Sequence, residues 1–169
     1  MAGEVEAVGR TVTQFKAGDE VFGLCIRDPH ESALKVWMTQ GAFAEYATVP
    51  ESTLVIKPDN VSFAKAACVP LAGLTALQGL RDKGHIQPGQ KVLVNGAAGG
   101  VGTFAVQIAK SFEAEVTGVC TRNVDMVRSI GADHVIDYTQ EDFTERGLIY
   151  DLVFDCVGNH SPFASSHLW

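Results

Sequence analysis

The sequence predicts an α/β protein, a β-rich first part followed by a parallel βαβ sheet. Three observations carry this. From Lys91 onward short apolar runs alternate with helix-like stretches, the order of consecutive βαβ units. Residues 1–60 instead set Val5, Val8 and Val12 among glycines and small residues, broken by turn signals. Between the first strand and the first helix of the second part lies a glycine-rich turn, Val94-Asn95-Gly96-Ala97-Ala98-Gly99-Gly100-Val101-Gly102.

In the first part, Gly18-Asp19 marks a tight turn before a strand at Glu20–Gly23. Ala42–Val49 reads as a strand stopped by Pro50, and Leu54–Ile56 as another stopped by Pro58. Arg27–Gln40 is polar and irregular and reads as an exposed loop. From Ser62 the period changes. Ser62 can cap a helix through Ala64–Ala67, Pro70 breaks or kinks it, and a second helical stretch runs from Ala72 to Asp82, closing at Gly84.

Pro88-Gly89 is the clearest boundary. Beyond it the strands are Lys91–Asn95, Glu115–Val119, His134–Asp137 and Tyr150–Asp155. The helices are Gly100–Phe112, Asn123–Ile130 and a short one near Gln140–Glu145. This organisation divides the chain at 1–61, 62–86 and 87–169. It also makes the fourth strand an edge, with Leu152, Val153 and Phe154 expected to be exposed on both faces, so the chain alone is expected to self-associate and turn over little.

The chain has 169 residues, 46% hydrophobic and 20% charged, which excludes a disordered polar chain. Its net charge of −7 provides no basic field for nucleic acid or acidic lipid. No apolar run is read as a membrane span, and the acidic start Met1–Glu6 lacks the pattern of a secretion signal, so the cytoplasm is the expected compartment. The four cysteines form no Cys-x-x-Cys pair and are expected to be buried, reduced thiols. No histidine belongs to a ligand pair and no Gly-x-Ser-x-Gly elbow is present. No catalytic residue and no metal ligand is assigned.

The glycine turn has the context that a dinucleotide-binding loop requires, an apolar strand before it and a helix after it. Gly99 would let the backbone approach a pyrophosphate. Gly102 would let the helix pack against the strand, and free amides of the first helical turn would face the anion. The first glycine of the usual pattern is replaced by Ala97, which fits if the local φ is negative. Thr103-Phe104 after Gly102 disfavours a nucleoside-triphosphate loop. The second strand ends in Cys120-Thr121-Arg122-Asn123 with no carboxylate at its tip. A guanidinium and a hydroxyl there would bind a 2′-phosphate, so NADP(H) is the expected cofactor.

These residues resemble a known signature. Gly89–Leu93, Ala97–Gly102 and Gln107–Lys110 are together similar to that of the zinc-independent quinone oxidoreductases (zeta-crystallin-like), a branch of the medium-chain dehydrogenase/reductase superfamily. Ala2–Val5, Gly18–Gly23 and Gly41–Tyr46 are similar to the family's GroES-like barrel, Pro70–Ala76 to its hinge helix, and Gly131–Tyr138 to its third nucleotide-domain strand. The resemblance covers about residues 1–160. It implies a partial GroES-like β-barrel followed by a truncated Rossmann domain. It further implies an NADPH-dependent reductase of quinones or α,β-unsaturated carbonyls, homodimeric and metal-free.

By the same resemblance, Ala98, Gly99, Gly100, Val101 and Gly102 would meet the pyrophosphate. Thr121, Arg122 and Asn123 would lie near the 2′-phosphate, Tyr138 against the adenosine end, Thr75 toward the nicotinamide, and Val157 and Gly158 close to the cofactor. Leu71 stands where zinc-dependent relatives place a ligand cysteine, and Cys68 lies nearly a helical turn away. Family members are roughly twice as long, so a gene fragment or partial sequence is expected; the loop from Ile26 to Gln40 looks long and Pro162–Trp169 does not read as a continuation of the fold. A zinc-type alcohol dehydrogenase and a non-catalytic or inactive fragment are the alternatives.

Overall fold

The computed structural model describes residues 1–25, 42–144 and 147–158. The expectations for Arg27–Gln40, for the length of the Ile26–Gln40 loop and for Pro162–Trp169 lie outside the described residues. Two compact units are present, Met1–Leu71 and Ala72–Trp169.

In the first unit, β1 (Ala2–Glu4), β2 (Glu20–Gly23) and β3 (Leu54–Ile56) form an antiparallel sheet in that order. Gly3 pairs with Val21, and Val21 with Ile56, which places the buried Val21 in the centre. Ala42–Val49 is not a strand: it is irregular, with Phe43 and Tyr46 exposed. Its alternating pattern has no ladder to join among the described residues, and alternation makes a strand only where a neighbour completes the backbone hydrogen bonds.

Helix α1 (Phe63–Leu77) runs unbroken through Pro70 and continues as one wide helical turn over Gln78–Lys83. Of the break or kink expected at Pro70, the break is absent, because proline removes one amide and the rest of the ladder persists. At its start Ser62 carbonyl accepts from Ala66 at 2.9 Å, and the Lys65 amide reaches Ser62 Oγ at 3.4 Å. The stretch Phe63–Lys83 is long and apolar enough to cross a membrane by length and composition, contrary to the reading above. Ala76 and Leu80 nevertheless belong to the core of the second unit, which accounts for their apolarity.

The second unit is a four-stranded parallel sheet in the order β6-β5-β4-β7. Its strands are β4 (Lys91–Asn95), β5 (Glu115–Cys120), β6 (His134–Asp137) and β7 (Leu152–Asp155), with helices α2 (Gly100–Ser111) and α3 (Val124–Ser129). Val92, Val94, Ala105, Val106, Val116 and Val127 pack in one core. Leu93, Val119, Ile136, Phe143 and Tyr150 pack in the other.

No helix forms over 140–144. Asp142 Oδ1 instead accepts from the amide (2.8 Å) and hydroxyl of Thr144 (2.6 Å), an Asx turn that competes with helix. β7 is an edge of the described sheet, but Leu152, Val153 and Phe154 are only half-exposed. Leu152 and Phe154 pack against the first core and Val153 against the second. Gly79 permits this, since a Cβ there would meet the Phe154 ring at 2.2 Å.

Candidate functional site

The first functional feature is the turn out of β4. Gly96 has φ +84°, which favours glycine. Its amide and that of Ala97 both donate to the Val119 carbonyl at 3.0 Å, tying the turn to β5. The Gly99 amide donates to the Gly96 carbonyl at 2.9 Å. Amides 96, 97 and 99 are therefore spent within the protein. Those of Gly100, Val101 and Gly102 open α2 and have no intrahelical acceptor, and no side chain caps the helix.

Ala97 does not have a positive φ, so alanine is unstrained there. It is fully buried, and Gly118 makes room for it: a Cβ on Gly118 would meet the Ala97 methyl at 2.9 Å. Gly102 seats α2 against the turn itself, because a Cβ there would meet the Gly96 carbonyl oxygen at 2.1 Å. A Cβ at Gly100 would meet nothing within 4 Å. The fold thus requires Gly102 and leaves the space at Gly100 open.

The turn borders a cleft of about 920 Å³ at the carboxyl ends of the strands, where open parallel sheets bind ligands. Ala98, Gly99, Gly100, Val101, Gly102, Thr121, Arg122, Asn123, Tyr138 and Val157 all line it. Thr75 and Gly158 do not. Thr75 sits exposed on α1, and Gly158 takes φ +67° with its amide donating to Asp155 Oδ1 at 3.0 Å. Asn95, Gly96, Cys120, Asp142, Phe143 and Cys156 complete the wall and were not assigned from sequence. Cys120 stood in the segment already singled out; Asp142 and Phe143 follow β6 in a stretch expected to be helical.

Strand order gives the cleft two ends. The glycine turn follows β4. On one side stand the tips of β5 and β6 with Arg122, Asn123 and Tyr138, and on the other the tip of β7 with Cys156 and Val157. From β6 to β7 is three strand spacings, about 14–15 Å.

Arg122 and Asp142 are the charged side chains on the described wall. Arg122 is exposed, and Asp142 is held by Thr144. Asn123 occupies the left-handed region at φ 57°, which asparagine tolerates, and starts α3.

Asp137, at the tip of β6, accepts from the Thr139 hydroxyl at 2.7 Å and amide at 3.0 Å. Thr139, then Thr121 and Gln140, hold its carboxyl below the usual carboxylate range. Arg122 is the cationic group of that rim. Stability from this network is present above the unfolded carboxylate value, about 3.9, and is lost as pH falls through the lower folded value. Asp137→Asn should unfold more readily than the unchanged chain at neutral pH, and the gap should close below that window. Chemical denaturation at a series of pH values measures it.

The four cysteines are free, but only Cys120 is buried; Cys68 and Cys156 are exposed and Cys25 is half-buried. Burial, then the Asp137 charge, raises the Cys120 thiol. Burial of the Cys156 sulfur and then Asp155 push that thiol up to about 11. Both thiols on the cleft wall are protonated at neutral pH and do not serve as ready nucleophiles.

Among the described residues no group of three or more His, Cys, Asp and Glu is placed to hold a metal. Cys68 Sγ instead donates to the Ala64 carbonyl at 3.2 Å, and Leu71 is exposed. The donor set of the described residues does not fit zinc.

A parallel α/β sheet with a glycine turn and a two-ended cleft defines the nucleotide-binding class of fold. Residues 1–59 match the family described as alcohol dehydrogenase GroES-like domain, and residues 100–167 the one described as zinc-binding dehydrogenase. The chain belongs to the medium-chain dehydrogenase/reductase superfamily. It is 43% identical over 161 residues to the 2-methylene-furan-3-one reductase of Solanum lycopersicum, covering 94% of this chain and 40% of that protein. It is 40% identical over 161 residues to the chloroplastic NADPH-dependent alkenal/one oxidoreductase of Arabidopsis thaliana, with 94% and 40% covered. The Escherichia coli quinone oxidoreductase complexed with NADPH is similar in structure, with TM-score 0.72, 34% identity, and 86% of this chain and 42% of that one covered. The chain thus spans about 40% of the length of these relatives.

Proposed function

We propose that the chain forms the cofactor-binding part of an NADPH-dependent reductase that transfers hydride to a quinone or an α,β-unsaturated carbonyl. The observation that carries this is the two-ended cleft with unpaired amides of Gly100, Val101 and Gly102 at its middle and Arg122 at one end. That order suits a ligand with a central diphosphate and a phosphate at one terminus. The names of the relatives, a furanone reductase and an alkenal/one oxidoreductase that is NADPH-dependent, support the acceptor class and the cofactor.

In this reading the first turn of α2 holds the diphosphate, Arg122 pairs with the 2′-phosphate, and Tyr138 lies against the adenosine. Val157 and Cys156 border the nicotinamide end; Thr75 and Gly158 would approach that end from outside the described wall. When bound, the reduced nicotinamide supplies the hydride. A conjugated acceptor delocalises the incoming charge, so the protein's work is placement and exclusion of water, and the reaction is proposed to need no metal. A homodimer, which the resemblance supports, and a cytoplasmic compartment are part of the same proposal.

Titration of the chain with NADPH and NADH tests the reading. NADPH should bind more tightly, and Arg122→Ala should weaken NADPH by about 1–3 kcal/mol while leaving NADH unchanged. Equal or tighter binding of NADH by the unchanged chain would overturn the phosphate assignment. The description zinc-binding dehydrogenase favours the second reading, a zinc-type alcohol dehydrogenase; stoichiometric zinc in the purified chain would support it.

A further inference from the structure

The turn after β7 is held by more than its own backbone. Asp155 Oδ1 accepts from the Val157 amide at 2.8 Å, the Gly158 amide at 3.0 Å and Asn95 Nδ2 at 2.9 Å. Asn95 is the last residue of β4 and only 4% exposed. Its carbonyl also accepts from the Cys156 amide at 3.0 Å. Gly96 admits the turn from the other side, since a Cβ there would meet Val157 Cγ2 at 2.8 Å and Cys156 Cβ at 3.4 Å. The turn leaving β7 is therefore seated directly on the turn leaving β4.

The chemistry of the seat is specific. Two backbone amides and one side-chain amide converge on a single carboxylate oxygen. An ionised acceptor makes shorter and stronger bonds than a neutral one. Cys156 and Val157 lie between these anchors and line the cleft at the end away from Arg122. The Cys156 thiol is neutral at ordinary pH, so the charge described at this end is that of Asp155, which the three donors hold.

We infer that Asp155 is a positioning residue: clasped by Asn95, it sets the Cys156–Val157 wall and so controls binding of the nicotinamide half of the dinucleotide without touching the adenosine half. This rests on the dinucleotide reading proposed above. The carboxylate acts through the turn, and its loss frees Val157 to move away from Gly96 while the glycine turn and Arg122 stay in place.

The test compares two ligands on the same chain. NADPH spans both ends of the cleft; adenosine 2′,5′-bisphosphate has the 2′-phosphate and adenosine but no nicotinamide. Titrations are run on the unchanged chain, Asp155→Ala and Asp155→Asn. Asp155→Ala should weaken NADPH by about tenfold or more and change the bisphosphate by less than about twofold, and Asp155→Asn, which keeps an acceptor oxygen, should restore most of the loss. A loss shared equally by both ligands, or no loss, would overturn the inference and reduce Asp155 to a fold-stabilising group or a bystander. If the unchanged chain binds the bisphosphate as tightly as NADPH, the nicotinamide end contributes nothing and the inference alone falls. If it binds neither, the dinucleotide reading fails and takes the inference with it. Should Asp155→Ala not fold, Asp155→Ser is judged by the same criteria.

Discussion

Gly102→Ala will unseat the first turn of α2 and abolish nucleotide binding. The added methyl carbon falls 2.1 Å from the Gly96 carbonyl oxygen and 2.8 Å from Ala97 Cα. Both are backbone atoms of a turn already tied to β5, so neither can swing aside as a side-chain end would. Overpacking of this kind costs about 1–3 kcal/mol and sometimes more. The amides of Gly100, Val101 and Gly102 would shift with the helix. Thermal unfolding should report the destabilisation and NADPH titration the loss of binding. Gly100→Ala is the control, because its Cβ meets no protein atom within 4 Å. It should fold as well as the unchanged chain, and any loss of NADPH binding would then come from the ligand's space alone. A Gly102→Ala protein of unchanged stability and affinity would contradict the packing described.

Leu93→Ala should have the largest effect on stability alone. Leu93 is fully buried in the middle of β4, in the cluster with Val119, Ile136, Phe143 and Tyr150. Removing it deletes buried apolar contacts and leaves a cavity, at about 2–5 kcal/mol. That is a large share of the 5–15 kcal/mol typical of a whole domain. Phe143 also lines the cleft, so binding should weaken as the cluster loosens. Urea denaturation measures the first effect. A midpoint unchanged from the parent chain would show that this face of the sheet contributes little.

Much of the second unit was legible in the sequence, for a local reason. β4 and β6 have the predicted bounds, Lys91–Asn95 and His134–Asp137, and α2 differs by one residue at its end. Each is a run whose own period and flanking turn signals decide its form. The failures are those where distant chain decides. Ala42–Val49 has the alternation of a strand but pairs with none of the described strands. The stretch 140–144 has helical composition, yet Asp142 closes on Thr144 first. Pro70 is a helix breaker by local rule and is carried within α1.

The site divides in the same way. Residues 98–102 and 121–123 were readable because they sit within and just after consecutive βαβ elements. The Asn95–Asp155 pair was not, because 60 residues separate the two and only the placement of β7 beside β4 brings them together. Thr121 lies on the cleft wall beside Arg122, and its hydroxyl is close enough to Asp137 on the adjoining strand to help lower that carboxyl.

The contact between Ala97 and Gly118 links two positions that lie on different elements. They share room for a single methyl group. Alanine at both places has no room, and even with glycine in the turn an alanine at 118 would press on Val127 Cγ1 at 2.9 Å, so Val127 would have to turn aside. Substitutions at 97 and 118 are therefore expected to be coupled, with Val127 as the third member of the contact. A search for the loop that insists on glycine as its first residue would pass over a chain such as this one, where the adjoining strand supplies the room for alanine.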